Sequence, residues 1–419
     1  MVWTSQITAQ QAYQRSVQKL SNRLSSTQDK MTVMRRIYMD ANATTPLLPE
    51  VLEAMRPWLL ENFGNASSIH QHGQQARAAV ERARSSVARL LNCRESEIVF
   101  TSGGTESDNL AIFGLVQPGD HIITTSIEHH AVLHAAERLA ARGLEVTFLP
   151  VSSDCRVDPD EVRRALRPNT KLISIMMANN ETGVIQPVEE IGKLAQEADI
   201  WFHTDAVQAV SKIPVDVQAI GCDLLSLSGH KIHAPQGTGV LYVRRGTQLE
   251  PLFFGGTHER QRRAGTENVA GIVGLGKAAE IAAQYLAEGE TAQLAALRDR
   301  FEAGILASVE GAGVNGAGLP RVPNTTNLYF NDLEGEALVI ALDLKGIAVS
   351  GGSACASGAA EPSHVLTAMG LAPERARASL RFSLTKLNTE QDIDDALQII
   401  PQAVSRLREL APVNAGTLG

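Results

Sequence analysis

Lys231 closes the stretch Ser226-Leu227-Ser228-Gly229-His230-Lys231, directly after a short apolar run. A lysine at the end of a buried strand is poorly solvated. Its pKa falls, and the neutral amine becomes a nucleophile for a carbonyl carbon. On those residues alone, a surface lysine opening a loop is the commoner reading. Other stretches shift that balance. Thr101-Ser102-Gly103-Gly104-Thr105-Glu106-Ser107 joins two glycines to a helix start, where backbone amides and the helix dipole suit a phosphate. A plain strand-to-helix turn would use the same residues. His129 and His130 could stack on a flat ligand or shuttle a proton, or be solvated histidines at a helix start. Asn179 and Asn180 could donate to an anion or simply make a turn. Asp205 ends a strand and could keep a heterocyclic nitrogen protonated, or cap a helix. Taken together, the lysine, the strand-end aspartate, the phosphate cradle and the histidine suggest pyridoxal phosphate.

Cys355 sits in Ser350–Ala360, a run rich in glycine, serine and alanine. Nothing bulky and apolar is there to bury its thiol, so an exposed, reactive cysteine is expected. Cys93, Cys155 and Cys222 occupy helix-end, turn and strand contexts and read as packing residues. None of the four cysteines forms a C-x-x-C pair or a zinc-type cluster, so no intrinsic metal site is expected. So few cysteines in 419 residues point to a reducing, cytoplasmic compartment.

The elements that must position these residues follow from the apolar pattern. Strands are expected at 98–101, 122–125, 146–149, 172–177, 200–204, 223–227 and 240–243, with helices at 105–116, 130–142, 158–166 and 187–198 between most of them. Short buried strands alternating with helices imply a mainly parallel sheet covered on both faces. Ligands then bind beyond the carboxyl ends of the strands, which is where the candidate residues lie. Upstream, 49–62 and 71–91 read as helices. Downstream, one long helix over 267–310 leads into a smaller α+β unit. Its expected strands are 326–330, 348–349 and 380–384, and its helices 335–344, 363–369 and 389–410. The expected division is an extension at 1–36, a large cofactor-binding domain at 37–285 and a small domain at 286–412. Residues 37–50 contribute to the small domain, which carries the cysteine loop at 350–360, and 413–419 form a tail. Residues 1–36 carry one acid, Asp29, and read as a disordered or loosely helical extension, or as sequence before a start at Met31 or Met34.

The net charge of -8 argues against nucleic acid as the main partner. No apolar run reaches the length of a bilayer span, so no membrane partner is expected.

The motifs Tyr38–Pro46, Phe100–Asn109, Glu128–Leu133, Ala178–Gly183, His203–Val210, Ser226–His233, Gly265–Asn268, Gly352–Gly358, Glu361–Leu366 and Arg381–Leu384 together resemble the cysteine desulfurases of the class-V aminotransferase family. The wording is nearest the nitrogenase-maturation branch, and the resemblance spans Ile37 to about Pro412. It implies an α/β fold of the aspartate-aminotransferase type (fold type I), a homodimer, and conversion of L-cysteine to L-alanine. By the same resemblance Lys231 carries the cofactor and moves protons, and Asp205 pairs the pyridine nitrogen. Gln208 meets the ring oxygen, and His129 stacks and acts as acid or base. Gly104, Thr105, Ser228 and His230 bind the phosphate, with Thr266 from the second subunit. Asn180 lies near the ring and the substrate carboxylate, and Arg381 binds that carboxylate. Cys355 receives the sulfur as a persulfide and passes it to an iron–sulfur scaffold protein or another acceptor. With such a scaffold it could act as a transient cluster ligand. Two departures stand out: Gln236 where many relatives have lysine, and CASGAAEPS in the cysteine loop. The alternatives are an aminotransferase or selenocysteine lyase of the same fold, which would not need a mobile cysteine loop, and a catalytically silent assembly partner.

Overall fold

A computed structural model describes residues 35–351 and 362–410. The expected extension up to residue 34, the tail from 411 and most of the cysteine loop, with Cys355, lie outside the described residues.

The chain opens with a two-residue strand, β1 (Ile37–Tyr38). Seven strands then build one sheet: β2 (Ile98–Thr101), β3 (His121–Thr125), β4 (Glu145–Leu149), β5 (Thr170–Ser174), β6 (Trp201–Asp205), β7 (Leu224–Ser228) and β8 (Gly239–Val243). Their order across the sheet is β2-β8-β7-β6-β5-β3-β4. From β7 through β4 the neighbours pair in parallel, and β8 runs antiparallel to both β7 and β2. β2, β3, β7 and β8 are buried along their whole length. β2 and β8 accordingly read as near-continuous apolar runs, while β3 and β7 mix apolar residues with buried threonine or serine. The helix Gln71–Leu90 turns Ala76, Ala79 and Ala83 inward, and packs against the helix Val269–Ala287. A Cβ at Gly276 would lie 2.6 Å from Ala83, so this contact requires small residues on both sides.

A second sheet holds β9 (Ala312–Asn315), β10 (Thr325–Phe330), β12 (Ser350–Gly351) and β13 (Ser379–Ser383), in the order β12-β13-β10-β9. Its core is separate from that of the large sheet and includes Phe301, Phe330 and Phe382. The rings of Phe301 and Phe382 sit 5.0 Å apart, centroid to centroid. β1 pairs in parallel with β11 (Ile347–Ala348), and Asp40 bridges to Ser383 on β13. The same segment then reaches the large sheet, where the Thr45 amide donates to the His230 carbonyl at 2.8 Å. The start of the chain therefore ties the two cores together.

Three expectations are corrected. The long helix over 267–310 is two helices, Val269–Ala287 and Thr291–Ser308. Gly289 between them has φ +72°, a conformation that ends a helix and favours glycine. β9 and a short helix, Pro373–Arg377, were not anticipated. β5 stops at Ser174 instead of continuing to Met177. The next residues still follow β6, since the Ile175 and Met177 amides donate to the His203 and Asp205 carbonyls at 3.1 and 2.8 Å.

Candidate active site

A cavity of ≈ 370 Å³ opens beyond the carboxyl ends of β3, β6 and β7. Lys231, His129, Asp205, Gln208, Gly104, Thr105, Asn180, Ser228, His230 and Arg381 all line it. Thr266 does not line it in the same chain, and its side chain is exposed.

Lys231 follows β7 in a short 3₁₀ turn. Its Nζ donates to the carbonyls of Asn42 and of Ala43, the latter at 2.7 Å. Burial lowers its pKa to about 8, helped by the nearby Arg381 guanidinium. Asp205 ends β6 and accepts from the Val207 amide at 2.8 Å. Burial raises its carboxyl pKa to about 6, against the Val207 amide and the Lys231 cation, which both lower it. A protonated ring nitrogen over Asp205 would add a closer positive charge. Asp108 stands behind it, raised in the same way by burial and by repulsion from Asp205. Asp108 Oδ1 has no hydrogen-bond partner among the described residues, and His203 Nε2 lies 3.6 Å away.

The phosphate end is the start of helix Gly104–Phe113. No side chain among the described residues caps it, so its first amides point outward toward a ligand. A Cβ at Gly104 would lie 2.9 Å from Val207 Cγ2, so glycine keeps this approach open. Ser228 and His230 close the other side. Burial and the Lys231 cation push His230 down to about 4. His129 is open to the cavity, yet surrounding protein and then the Lys231 cation also lower it to about 4. It therefore presents a neutral ring.

Arg381 comes from β13, in the other sheet. Asp40 holds one terminal nitrogen at 2.8 Å and the Asn180 carbonyl holds the other at 3.1 Å. Among the described residues, its Nε is buried without a partner, as is Asn180 Oδ1. A carboxylate arriving here would meet an oriented donor that lacks its full complement.

Taken together, an amine of lowered pKa, a buried acid, an open helix start and a neutral histidine fit pyridoxal phosphate. The described cysteines do not offer a nucleophile. Burial raises Cys93 and Cys155 to about 12, and it raises Cys222 as well.

Several lining residues escaped the sequence reading, and Asn42 is the most consequential. Its Nδ2 donates to the Asn180 carbonyl and Thr325 Oγ1, and its own carbonyl receives Gln208 and Lys231. The polar turn after β1 gave no sign of this, because its partners lie more than a hundred residues away. Glu128, fully buried, and Glu181, which lines the cavity, were also passed over. Burial raises them to about 8 and about 7. Glu128 is held by Thr125 Oγ1 at 2.6 Å, and Glu181 accepts from Ser363 Oγ at 2.5 Å.

The model of the aminotransferase class-V family matches residues 37–396. A cysteine desulfurase IscS of Methanosarcina thermophila is 51% identical over 386 residues, covering 91% of this chain and 95% of its own length. A cysteine desulfurase of a Nostoc species is 52% identical over 382 residues, covering 90% and 95%. Among solved structures, a NifS-like protein superposes with a TM-score of 0.83 at 38% identity, over 89% of this chain and all of that one. A structure described as SspA in complex with cysteine gives 0.73 at 38% identity, over 83% and 98%.

Proposed function

The chain belongs to the class-V aminotransferase family and is a pyridoxal-phosphate-dependent cysteine desulfurase of fold type I; from that premise we propose how its residues share the work. Pyridoxal phosphate supplies an electron sink for the α-carbon of the amino acid. Lys231 anchors it and moves a proton at that α-carbon, a task suited to an amine with a pKa of about 8. Asp205 holds the ring nitrogen, Gln208 the ring oxygen, and His129 covers the ring face. The open start of helix Gly104–Phe113, with Ser228 and His230, takes the phosphate. Arg381, already oriented by Asp40, binds the carboxylate of L-cysteine.

Cys355 takes the sulfur. Its thiolate forms an S–S bond with the substrate sulfur while the substrate C–S bond breaks. The bonding pair of that C–S bond stays on carbon and picks up the thiol proton, giving L-alanine and a persulfide. The observation that carries this reading is the position of Gly351 and His364, on either side of the cysteine loop, in the wall of the cavity. Cys355 is four residues from Gly351, and four residues span at most about 14 Å. The described cysteines, Cys93, Cys155 and Cys222, are held protonated by burial, which leaves the role to Cys355.

The enzyme works as a homodimer in the cytoplasm. Thr266 faces outward, where a second subunit's phosphate site could receive it, and Phe253 and Phe254 beside that segment are 50% and 89% exposed. The sulfur goes to an iron–sulfur scaffold protein or another thiol acceptor. The test is Cys355→Ala. Alanine release from L-cysteine is expected to fall to background while the cofactor's visible band persists. Alanine release at the normal rate would overturn the assignment and favour a lyase reaction that needs no enzyme thiol.

A further inference from the structure

Lys212 is buried to 6% exposure, and no carboxylate pairs with it among the described residues. Its Nζ donates to Gln208 Oε1 and to Asn42 Oδ1, the latter at 3.3 Å. Burial lowers its pKa far from the ordinary lysine range, and the Lys231 and Arg381 cations add to this. A buried amine without a counterion is costly unless it is neutral and hydrogen-bonded. An uncharged amine has two hydrogens, and two side-chain oxygens are there to take them.

Both amides are oriented independently of Lys212. At the far end of Gln208, Nε2 lies 3.0 Å from the Asn42 carbonyl, which can only accept. Reversing that amide would set two oxygens against each other. At Asn42, Nδ2 lies 3.1 Å from the Asn180 carbonyl, so a reversed amide meets the same conflict. Two amide oxygens are thus turned to one spot, and Lys212 is the donor they share. Asn324 Nδ2 adds a second donor to Asn42 Oδ1 at 3.0 Å. Among the described residues, Gln208 has no comparable second donor to its oxygen.

We propose that Lys212 is a positioning residue: it locks the Gln208 carboxamide with its NH2 group toward the cavity, and it clamps Asn42 between the two cores. This rests on the cofactor reading above, in which Gln208 donates to the ring oxygen. Without Lys212, Gln208 Oε1 would be left buried and unpaired, and the carboxamide, held at Nε2 alone, would shift toward a new partner.

The test compares wild type, Lys212→Met, Gln208→Ala and the double variant as full-length apoprotein loaded with pyridoxal phosphate. The readouts are the cofactor Kd and the pH midpoint of its visible band. Lys212→Met is expected to raise Kd on the order of fivefold and move the midpoint, and the double variant to match Gln208→Ala alone. Lys212→Gln, which returns a donor, should recover much of the shift. The inference is overturned if Lys212→Met matches wild type in both readouts, or if the double variant shows the sum of the single effects. If Lys212→Met does not fold, Lys212→Gln decides, since its amide can still donate to Gln208 Oε1. It should bind the cofactor more tightly than Gln208→Ala. A Kd as weak as that of Gln208→Ala overturns the contact. A wild-type chain that takes up no cofactor would sink the cofactor reading itself, which is a different result from any of these.

Discussion

Lys231 shows how the fold alters one residue's chemistry. An exposed lysine keeps its proton to a pKa near 10.4. Here burial brings it to about 8, with Arg381 acting in the same direction. The folded chain therefore sheds this proton between about pH 8 and 10, where an unfolded chain still holds it, so the term stabilises the apoprotein as pH rises through that window. The kinetic consequence is more direct. Only the neutral amine attacks an aldehyde, so recapture of pyridoxal phosphate by the apoprotein should rise about tenfold between pH 7 and 9 and level off above it. Stopped-flow absorbance would measure this. A rate still climbing steeply beyond pH 9 would mean that the lysine keeps its ordinary pKa.

At the scale of elements, the three consecutive residues Glu259, Arg260 and Gln261 have φ of +45°, +57° and +67°. Such a run is costly for residues other than glycine. What holds it is the buried pair of Arg84 and Glu259, joined by two contacts of 2.8 Å, with Glu259 also accepting from the Phe100 amide at 2.9 Å. The strained turn leads to Arg263, which pairs with Glu106 at the phosphate end of the cavity, and then to Thr266. Arg84→Met would leave Glu259 buried and alone. It should cost about 3–5 kcal/mol of stability, readable as a lowered Tm and denaturation midpoint. No part of this was visible in the sequence, because Arg84 and Glu259 are 175 residues apart and the wording around Glu259 gives no turn signal. The strands of the large sheet were legible for the opposite reason. β2, β7 and β8 are compact and mostly apolar because they are buried along their whole length, and the others still carry an apolar centre. β9 was missed because Ala312-Gly313-Val314-Asn315 has neither length nor pattern, and the break at Gly289 because its flanks keep a helical composition. The site residues at strand ends could be read from local wording. Asn42 and Lys212 could not, because their meaning lies in each other and in Gln208.

At the scale of the whole molecule, the cavity is assembled from both cores. Lys231 and Asp205 come from the large sheet, while Arg381, the residue proposed to take the substrate's carboxylate, comes from β13 and is held by Asp40 from the chain's opening segment. Asp40→Asn keeps the shape but removes the charge that aligns Arg381. KM for L-cysteine should rise by about 10- to 100-fold with the cofactor still bound, the size expected for losing a charged hydrogen bond. An unchanged KM would show that Arg381 is held by its own sheet alone. Asp40 and Arg381 are 341 residues apart in the chain. That separation imposes an order on biosynthesis. A nascent chain translated as far as Thr266 contains Lys231, Asp205 and Gly104, yet lacks both Arg381 and the helix Val269–Ala287 that packs into the large core. On the proposed assignment, the grip on an amino acid's carboxylate is the last part of the site to leave the ribosome.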